Sequence, residues 1–378
     1  MADKLAFCRI ITNEDACDGD AIRTGLSIPE CAAPLFFSSP GNIGGNRWVE
    51  IKWQNEFTTK NRLVYYGSGP KEEYRLTDFG WGFPFFKEDD VGDLLILVRH
   101  SKDYYKGFIL QSDQDVEDFF YCFSIPPTTT NQLIDVTCGK SLSGPLDDEM
   151  EEVVSRFINF PTTDKMSNLA RQIYNKAHNI TDREIRDDPD DIIQKWTDTE
   201  FSLFKKFEQK VYANYYLEPL GNLQSLISAV NVINNRRKSR AGKSLEHHLS
   251  HIFKTAKLKF EEQVRTEDNK KPDFIFPGGN AYHDKLFPTE GLIFLGAKTM
   301  CKDRWRQVLN EADRIKTKYL FTLQTSITKN QLLEMKHAHL KLVVPAANKP
   351  SFAAEFHTEI MTLSSFIEMV KEMQRHNL

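Results

Sequence analysis

The chain has 378 residues, of which 40% are hydrophobic and 27% are charged, and its formal net charge at pH 7 is -4. A chain of that length is too long to fold around one ordinary hydrophobic core, so length and composition together predict a globular protein of two domains. No apolar run reaches the roughly 18 residues needed to span a bilayer, and the first residues are not those of a signal peptide, which predicts a cytoplasmic location. The six cysteines form no C-x-x-C pair, which predicts free thiols and argues against a structural zinc.

The first third of the chain is predicted to be rich in β-strands. Short runs of β-branched and aromatic residues are separated by Gly, Pro, Asn and Asp, as is typical of a barrel or sandwich. These runs are 47–53, 63–66, 94–98, 105–110 and 119–123. Two polar segments interrupt them, and such loops are either ordinary connections or binding surfaces. The candidate binding residues in these segments are Arg23, Thr24, Lys71, Glu73, Tyr74, Arg75 and Trp81.

Composition changes in the middle of the chain. Gly139–Glu152 begins with Gly, Ser and Pro and ends in acids, which predicts a linker over residues 143–152 between domains 1–142 and 153–378. After the linker, apolar residues recur at helical spacing, and beyond residue 270 short strands alternate with helices. This order predicts an α/β core with a mixed sheet.

Two acids and a lysine lie in one compact unit of the second domain. Asp273 follows Pro272 at the mouth of a short apolar run, Lys298 ends the next run, and Glu311 falls on a predicted helix over Trp305–Lys316. Two carboxylates can hold a divalent cation, and a nearby ammonium can polarise a phosphate. Taken singly, these residues could be a strand-end cap, a solvated lysine and a surface ion-pair partner. Together they predict metal-dependent phosphodiester hydrolysis.

Residues 236–243 form a basic run with five cationic side chains in eight positions. Such a run is either a solvated helix end or a set of phosphate contacts. Its position ahead of the acidic unit favours phosphate contacts. The candidate residues are Arg236, Arg237, Arg240 and Lys243.

Several of these motifs resemble the catalytic half of the EcoRII-type restriction endonucleases. The resemblance is carried by residues 234–246, 269–274, 281–284, 298–307 and 309–313. It is dense over about 234–345 and fainter over 153–233. The β-rich part is similar to that family's effector domain, a B-three-type DNA-binding pseudobarrel. As in that family, no acid stands two residues before the lysine; Gly296 occupies that position, and Glu311 supplies the carboxylate.

The resemblance implies individual roles at the catalytic unit. Asp273 and Glu311 would ligate Mg²⁺, Lys298 would be the catalytic lysine, and Glu246 would be an auxiliary acid at the same site.

The resemblance also implies residues that contact DNA. Lys302, Asp303 and Arg304 match the family's element for reading CC and GG. Arg and Lys donate to guanine and Asp accepts from cytosine, although a surface ion pair is the alternative. Tyr282 lies in another matched motif and is a further candidate. Trp196 lies near the helix where related enzymes stack a flipped base, but a tryptophan on an apolar helical face usually belongs to the core.

The combined expectation is a type II restriction endonuclease with an N-terminal all-β pseudobarrel and a C-terminal restriction-endonuclease-like α/β core. It would use Mg²⁺ to cut double-stranded DNA at a CC…GG-containing site resembling CCWGG, leaving 5′-phosphate ends. The N-terminal candidates would contact a second, effector DNA, and the enzyme would act as a homodimer or a monomer. The alternatives are a methylation-directed or repair nuclease and a catalytically inactive DNA-binding protein.

Overall fold

The structure, a computed structural model, describes residues 5–16, 25–37, 46–66, 73–80, 82–129, 131–135, 145–217 and 222–377. Four residues of the predicted N-terminal binding segments, Arg23, Thr24, Lys71 and Trp81, lie outside the described residues. Among the described residues, no helix combines the length and the apolar composition needed to cross a membrane.

The N-terminal part is a curled eight-stranded sheet in which the strands follow the order β2-β5-β4-β3-β7-β6-β1-β8. Its strands are β1 Leu5–Ile10, β2 Leu26–Ile28, β3 Arg47–Trp53, β4 Thr58–Tyr66, β5 Glu73–Thr77, β6 Leu94–Arg99, β7 Tyr104–Leu110 and β8 Asn131–Asp135. Its helices are α1 Ala33–Phe36 and α2 Asp113–Phe123. Only β3 and β7 pair in parallel among these neighbours. Alternate residues of β3 point inward, and Trp53 ends that inward row in the aromatic core.

The strand predicted over 119–123 was wrong, because these residues form the second half of α2. The Ser112 hydroxyl caps the helix by accepting from the Asp115 N–H. Val116 and Phe120 lie four residues apart and are buried against β1 and β6. Helical packing of that face overrides the strand propensity of the aromatic run.

The C-terminal part is built on a six-stranded mixed sheet with the order β14-β13-β12-β11-β10-β9. Its strands are β9 Glu261–Glu262, β10 Phe274–Phe276, β11 Ile293–Lys298, β12 Lys318–Thr322, β13 Leu340–Val344 and β14 Met361–Thr362. Its helices are α3 Pro145–Ser155, α4 Thr163–His178, α5 Asp182–Asp187, α6 Pro189–Val211, α7 Ala213–Leu217, α8 Leu223–Thr255, α9 Gly279–His283, α10 Lys329–His337 and α11 Leu363–Asn377. β10 runs antiparallel to β9 and β11, whereas β11 to β14 are parallel.

Both faces of this sheet are covered, which explains why β10 to β12 are mostly apolar along their length rather than alternating apolar and polar. One face packs on α6, α8 and α11 through side chains such as Phe253 and Phe366. The other packs on the segment that contains Trp305 and Val308, and on α10. The predicted fold class, a strand-rich N-terminal part followed by an α/β core with a mixed sheet, is confirmed.

Two local predictions in this half were wrong. Residues 145–152 of the predicted linker belong to α3, whose Met150 and Val154 are buried against Met166 of α4 and Phe204 of α6. The predicted helix over Trp305–Lys316 is a short 3-10 segment, Trp305–Asn310, after which the chain turns extended. The division into domains 1–142 and 153–378 stays a prediction.

Candidate active site

Asp273 and Lys298 meet where β10 begins and β11 ends. These strands are antiparallel, with Phe274 opposite Leu295, so the residue before β10 lies beside the last residues of β11. The Ala297 N–H donates to Asp273 Oδ2 at 2.8 Å, and Lys298 Nζ lies 3.6 Å from the same oxygen. Asp273 is only 8% exposed. The carboxylate is therefore fixed in orientation, with the ammonium beside it.

Glu311 follows the 3-10 segment and lies near enough to Asp273 and Lys298 for both to affect its pKa. A Cβ on Gly296 would lie 2.9 Å from Cγ1 of Val308, which packs across β11. Gly296 stands two residues before Lys298, where, as in the EcoRII-type enzymes, no acid is present. A side chain there would clash with Val308. Val308, three residues before Glu311, thus fills the space that a side chain at position 296 would need.

The carboxyl groups of the site disfavour one another's charge. Burial, and then the nearby Asp273 carboxylate, raise the pKa of Glu311 to about 7, although Lys298, Lys318 and Lys270 oppose the rise. Burial and Asp273 also raise the pKa of Glu246. A divalent cation between such carboxylates would relieve this repulsion, so the donor set fits a hard metal ion.

Glu246 is joined to Asp273 through a residue that no sequence motif indicated. Gln263 Nε2 donates to Glu246 Oε2 and to Asp273 Oδ1, both at 3.2 Å. Lys243 Nζ donates to the same Glu246 oxygen at 2.6 Å. Gln263 follows β9, which pairs with β10, and it has a left-handed φ of 54°. Its role depends on strand pairing, which spacing along the chain does not reveal.

Asp273 and Glu311 together offer two carboxylates to a metal ion. Within the described residues no group of three or more His, Cys, Asp or Glu side chains is arranged to hold a metal ion. Mg²⁺ commonly keeps several waters and is bound by one or two carboxylates together with substrate phosphates. Asp273 and Glu311 fit a site of that open kind.

The candidate reading element lies against the N-terminal part of the chain. The Lys302 ammonium, in a side chain that is largely buried, donates to the Asp93 carboxylate and, at 3.0 Å, to the Asp89 carbonyl. Burial raises the pKa of Asp93 to about 7, while Lys302 opposes the rise. Lys302 is thus held in an ion pair that joins the two halves.

Asp303 and Arg304 bind the start of α2. The Asp303 carboxylate accepts from the Asp113 N–H, and the Asp113 carboxylate accepts from the Asp303 N–H, both at 3.0 Å. The Arg304 guanidinium pairs with Glu117, and its Nε lies 3.5 Å from Asp113 Oδ2. The polar atoms proposed to read base edges are therefore bound to carboxylates and main-chain groups of the N-terminal part.

The basic run lies on α8, and three of its four candidates form intramolecular ion pairs. Arg237 makes a two-pronged contact with Glu208, at 2.6 and 3.2 Å. Arg240 is 4% exposed, donates to the Tyr121 hydroxyl at 2.9 Å and lies 3.6 Å from Glu200. Lys243 pairs with Glu246, as described above. Arg236, the fourth, is exposed and lies over the Phe160 ring, with 4.5 Å between the guanidinium carbon and the ring centroid.

Trp196 and Tyr282 are buried rather than presented to a ligand. Trp196 is fully buried and its Nε1 donates to Asn175 Oδ1 at 2.7 Å, so the structure favours the core alternative over base stacking. Tyr282 is 3% exposed, and its hydroxyl donates to the Glu267 carboxylate. In this arrangement neither side chain is available to DNA.

The described N-terminal candidates lie in β5. Tyr74 is buried and stacks on Tyr65, with 4.7 Å between ring centroids. Arg75 Nε lies 2.8 Å from Glu73 Oε1, and both side chains are about one-third exposed. Glu73 and Arg75 therefore lie at the surface of the curled sheet, whereas Tyr74 belongs to its core.

Comparison with known proteins finds a family match in the C-terminal half of the chain. Residues 204–367 match the family described as EcoRII C terminal. The match covers less than half of the chain. The type II restriction enzyme EcoRII of Escherichia coli is 44% identical over 181 residues, which are 48% of this chain and 45% of that enzyme. The chain thus covers about half the length of the curated relative that it matches.

Two solved structures resemble the chain at lower identity. Metal-depleted Ecl18kI in complex with uncleaved DNA is 19% identical, with a TM-score of 0.49, and the likeness covers 61% of this chain and 85% of that one. The restriction endonuclease PspGI–substrate DNA complex is 15% identical, with a TM-score of 0.48, covering 57% and 94% respectively. The predicted resemblance to EcoRII-type enzymes is confirmed for the EcoRII C-terminal region by the family match and by the identity to EcoRII.

Proposed function

We propose that the chain is a type II site-specific deoxyribonuclease that cuts double-stranded DNA with Mg²⁺. The observation that carries the proposal is the meeting of Asp273, Lys298 and Glu311 at one end of β10 and β11, within the EcoRII C-terminal region. The intact set of two acids and a lysine argues against the alternative of a catalytically inactive DNA-binding protein.

In this proposal each side chain has a separate task. Asp273 and Glu311 would hold Mg²⁺, which supplies Lewis-acid stabilisation of the charge that develops on the phosphate. Lys298 donates to a non-bridging oxygen of the scissile phosphate and orients it for attack by water. Gln263 and Lys243 hold Glu246 and Asp273 in place. Departure of the 3′-oxygen leaves 5′-phosphate and 3′-hydroxyl ends.

A plasmid digest tests the activity and its specificity together. Plasmid DNA is incubated with the full chain in Mg²⁺ or in chelator, and the ends of the products are sequenced. Discrete fragments that need Mg²⁺, end in 5′-phosphate and share a CC…GG site resembling CCWGG support the proposal. Cleavage only of methylated or damaged DNA would favour the methylation-directed or repair nuclease. Binding without cleavage at any metal concentration would contradict the nuclease assignment.

We also propose that Lys302, Asp303 and Arg304 read the CC and GG ends of the target. Arg304→Ala should cost about 1–3 kcal/mol of discrimination at one guanine, the usual contribution of a bidentate contact. The measurement is the affinity in Ca²⁺ for the cognate duplex divided by that for a duplex with one base pair replaced. Arg306→Ala is the control, since Arg306 pairs with Glu334 at the surface. An Arg304→Ala ratio equal to wild type would contradict the reading role.

The contacts of this reading element suggest how the two halves work together. In the described structure Lys302 and Arg304 pair with Asp93, Asp113 and Glu117 of the N-terminal part. Cognate DNA and these acids therefore compete for the same cations. We propose that the N-terminal part is a B-three-type effector domain, and that a second DNA bound there favours release of the reading element. This coupling needs only that effector DNA binds the released state more tightly.

For the oligomeric state we propose a homodimer, because a palindromic target matches a two-fold pair of subunits. The first half of α8 supports this choice over a monomer. Leu223, Leu226, Ile227 and Val230 are 43–71% exposed on that helix, and residues 222–235 carry no charge. Identical copies can therefore meet there without charge repulsion. Sedimentation velocity should give a dimer for the full chain and a monomer for Leu226→Lys; a wild-type monomer bound to cognate DNA would contradict the proposal.

A further inference from the structure

Glu311 is presented by a turn whose backbone is unfavourable for its sequence. The residue itself is extended, with φ of -95° and ψ of 145°. Ala312, the next residue, is 1% exposed and has a left-handed φ of 52°, which a residue with a Cβ rarely adopts. Such a conformation persists only where the surrounding structure holds it. The contacts on both sides of the turn are therefore informative.

Lys318 holds the turn from the sheet side. It is the first residue of β12, an interior strand, and it pairs with Phe294 on one neighbour and Leu340 on the other. Only 7% of the residue is exposed, and its Nζ donates to the Leu309 carbonyl at 2.8 Å. A lysine is an expensive choice for a buried position in a sheet, where an apolar residue packs without desolvating a charge. Its ammonium must therefore be stabilised by what surrounds it.

The acids around Lys318 lie in the same turn or contact it from the other side. Burial lowers the pKa of Lys318, and the acids that oppose this effect are Asp313, Glu311 and Glu267. Lys318 in turn is among the cations that oppose the raised pKa of Glu311. The Lys318 ammonium thus binds the Leu309 carbonyl, two residues before Glu311, and also attracts the Glu311 carboxylate.

Glu267 holds the other side of the turn. Its Oε2 accepts from the Asp313 N–H at 3.2 Å, and the Tyr282 hydroxyl donates to both of its oxygens, at 2.6 and 2.8 Å. Arg314 donates to the main-chain carbonyls of Ala281, Tyr282, Asp284 and Phe287, which ties the end of the turn to α9 and the residues after it. The turn is therefore bound on both sides of Ala312, by side chains that carry no assigned catalytic role.

We propose that Lys318 and Glu267, the latter oriented by Tyr282, are positioning residues that hold the turn 309–313 so that Glu311 faces Asp273. The inference rests on the proposed metal-dependent nuclease site and deepens it. It gives buried Tyr282 a task other than DNA contact. Loosening either side of the turn should weaken the metal site while leaving DNA binding intact, because none of these residues contacts the reading element.

The test measures metal binding directly as well as cleavage. Calorimetry follows Mn²⁺ binding to the DNA-free full chain, and cleavage assays give the Mg²⁺ concentration for half-maximal rate and the KM for DNA. Lys318→Met should weaken Mn²⁺ binding about tenfold and raise the half-maximal Mg²⁺ concentration by a similar factor, with KM for DNA unchanged. Lys318→Arg keeps a cationic donor and should recover part of the loss. Tyr282→Phe should shift both quantities about threefold.

Controls separate this inference from the function on which it rests. Lys316→Met, which replaces an exposed lysine two residues away, should behave as wild type. If Lys318→Met fails to fold by circular dichroism, Tyr282→Phe decides, because it removes one hydroxyl and keeps the ring. Wild-type Mn²⁺ affinity in the folded variants, with cleavage intact, would overturn the positioning role and leave the nuclease standing. If the variants bind Mn²⁺ more weakly than wild type but the wild-type protein never cuts DNA, the positioning role would be supported and the nuclease overturned.

Discussion

Asp273→Asn and Glu311→Gln should each lower the rate of cleavage in Mg²⁺ by at least about 10³-fold, because a bound metal supplies several kcal/mol of transition-state stabilisation. Both substitutions keep the shape of the side chain and remove a charged ligand. Asn at position 273 still offers an oxygen to the Ala297 N–H, which fixes the wild-type carboxylate at 2.8 Å. Specific binding in Ca²⁺, measured by gel shift, should remain within a few-fold of wild type because neither acid is assigned a base contact.

Asp268→Asn is the matched control for these variants. Asp268 is a strongly exposed acid five residues before Asp273, and it pairs with Lys270 at 3.3 Å. Its loss should leave cleavage unchanged, since a surface pair contributes little to stability. Near-normal cleavage by either Asp273→Asn or Glu311→Gln would remove that residue from the metal site.

Glu311→Gln should also raise the free energy of unfolding when metal is removed by chelator. Burial and Asp273 raise the pKa of folded Glu311 from 4.5 to about 7. The folded state therefore binds the proton more tightly than the unfolded state, and wild-type stability falls as pH rises from about 4.5 to 7. Gln does not titrate, so its advantage should grow over this range and level off above it. Chemical denaturation at several pH values measures the difference; a variant less stable than wild type at pH 8 would contradict it.

The arrangement of the candidate site was easiest to predict from the sequence where it is built from neighbouring strands. Asp273 and Lys298 come together because they flank two antiparallel strands joined by a short connection. In the sequence, Pro-Asp precedes one apolar run and Lys ends the next, so antiparallel pairing of the two runs brings the acid and the lysine together. Glu311 was placed in the right neighbourhood on the wrong element, since the helical spacing of Trp305 and Val308 also fits a 3-10 segment that ends early.

The contacts that depend on distant parts of the chain could not be predicted from spacing. Asp113 and Asp303 exchange two hydrogen bonds although they are 190 positions apart. The acids of α2 carry no motif, and an aromatic run over 119–123 concealed the helix itself. Lys318 reads as an ordinary lysine before an apolar run until its pairing inside the sheet is known. Residue composition and apolar periodicity describe single helices and strands, whereas these long-range contacts depend on how the helices and strands pack together.

Removal of the N-terminal part should increase specific DNA binding by the remaining C-terminal fragment. The fragment should begin at residue 145 rather than near Ser155, because α3 packs on α4 and α6 and its loss would expose Met150 and Val154. Without Asp93, Asp113 and Glu117, Lys302 and Arg304 have no ion pairs with the N-terminal part to break before they contact DNA. Charged hydrogen bonds contribute about 1.5–3 kcal/mol, which corresponds to about 10- to 100-fold in affinity. Gel shifts in Ca²⁺ compare the 145–378 fragment with the full chain.

The full chain allows the same test without truncation. Glu117→Gln removes a charged partner of Arg304 and should move affinity and single-site cleavage in the direction of the fragment, by a smaller factor. Asp118→Asn is its control, since the neighbouring acid is exposed on the same helix and bonds to Gln114. An added uncleavable duplex carrying the target should stimulate the full chain and leave the 145–378 fragment unaffected. The isolated 1–142 fragment should bind that duplex without cutting it. Equal responses of full chain and fragment, or weaker specific binding by Glu117→Gln, would refute competition between the acids of α2 and DNA while leaving the nuclease assignment in place.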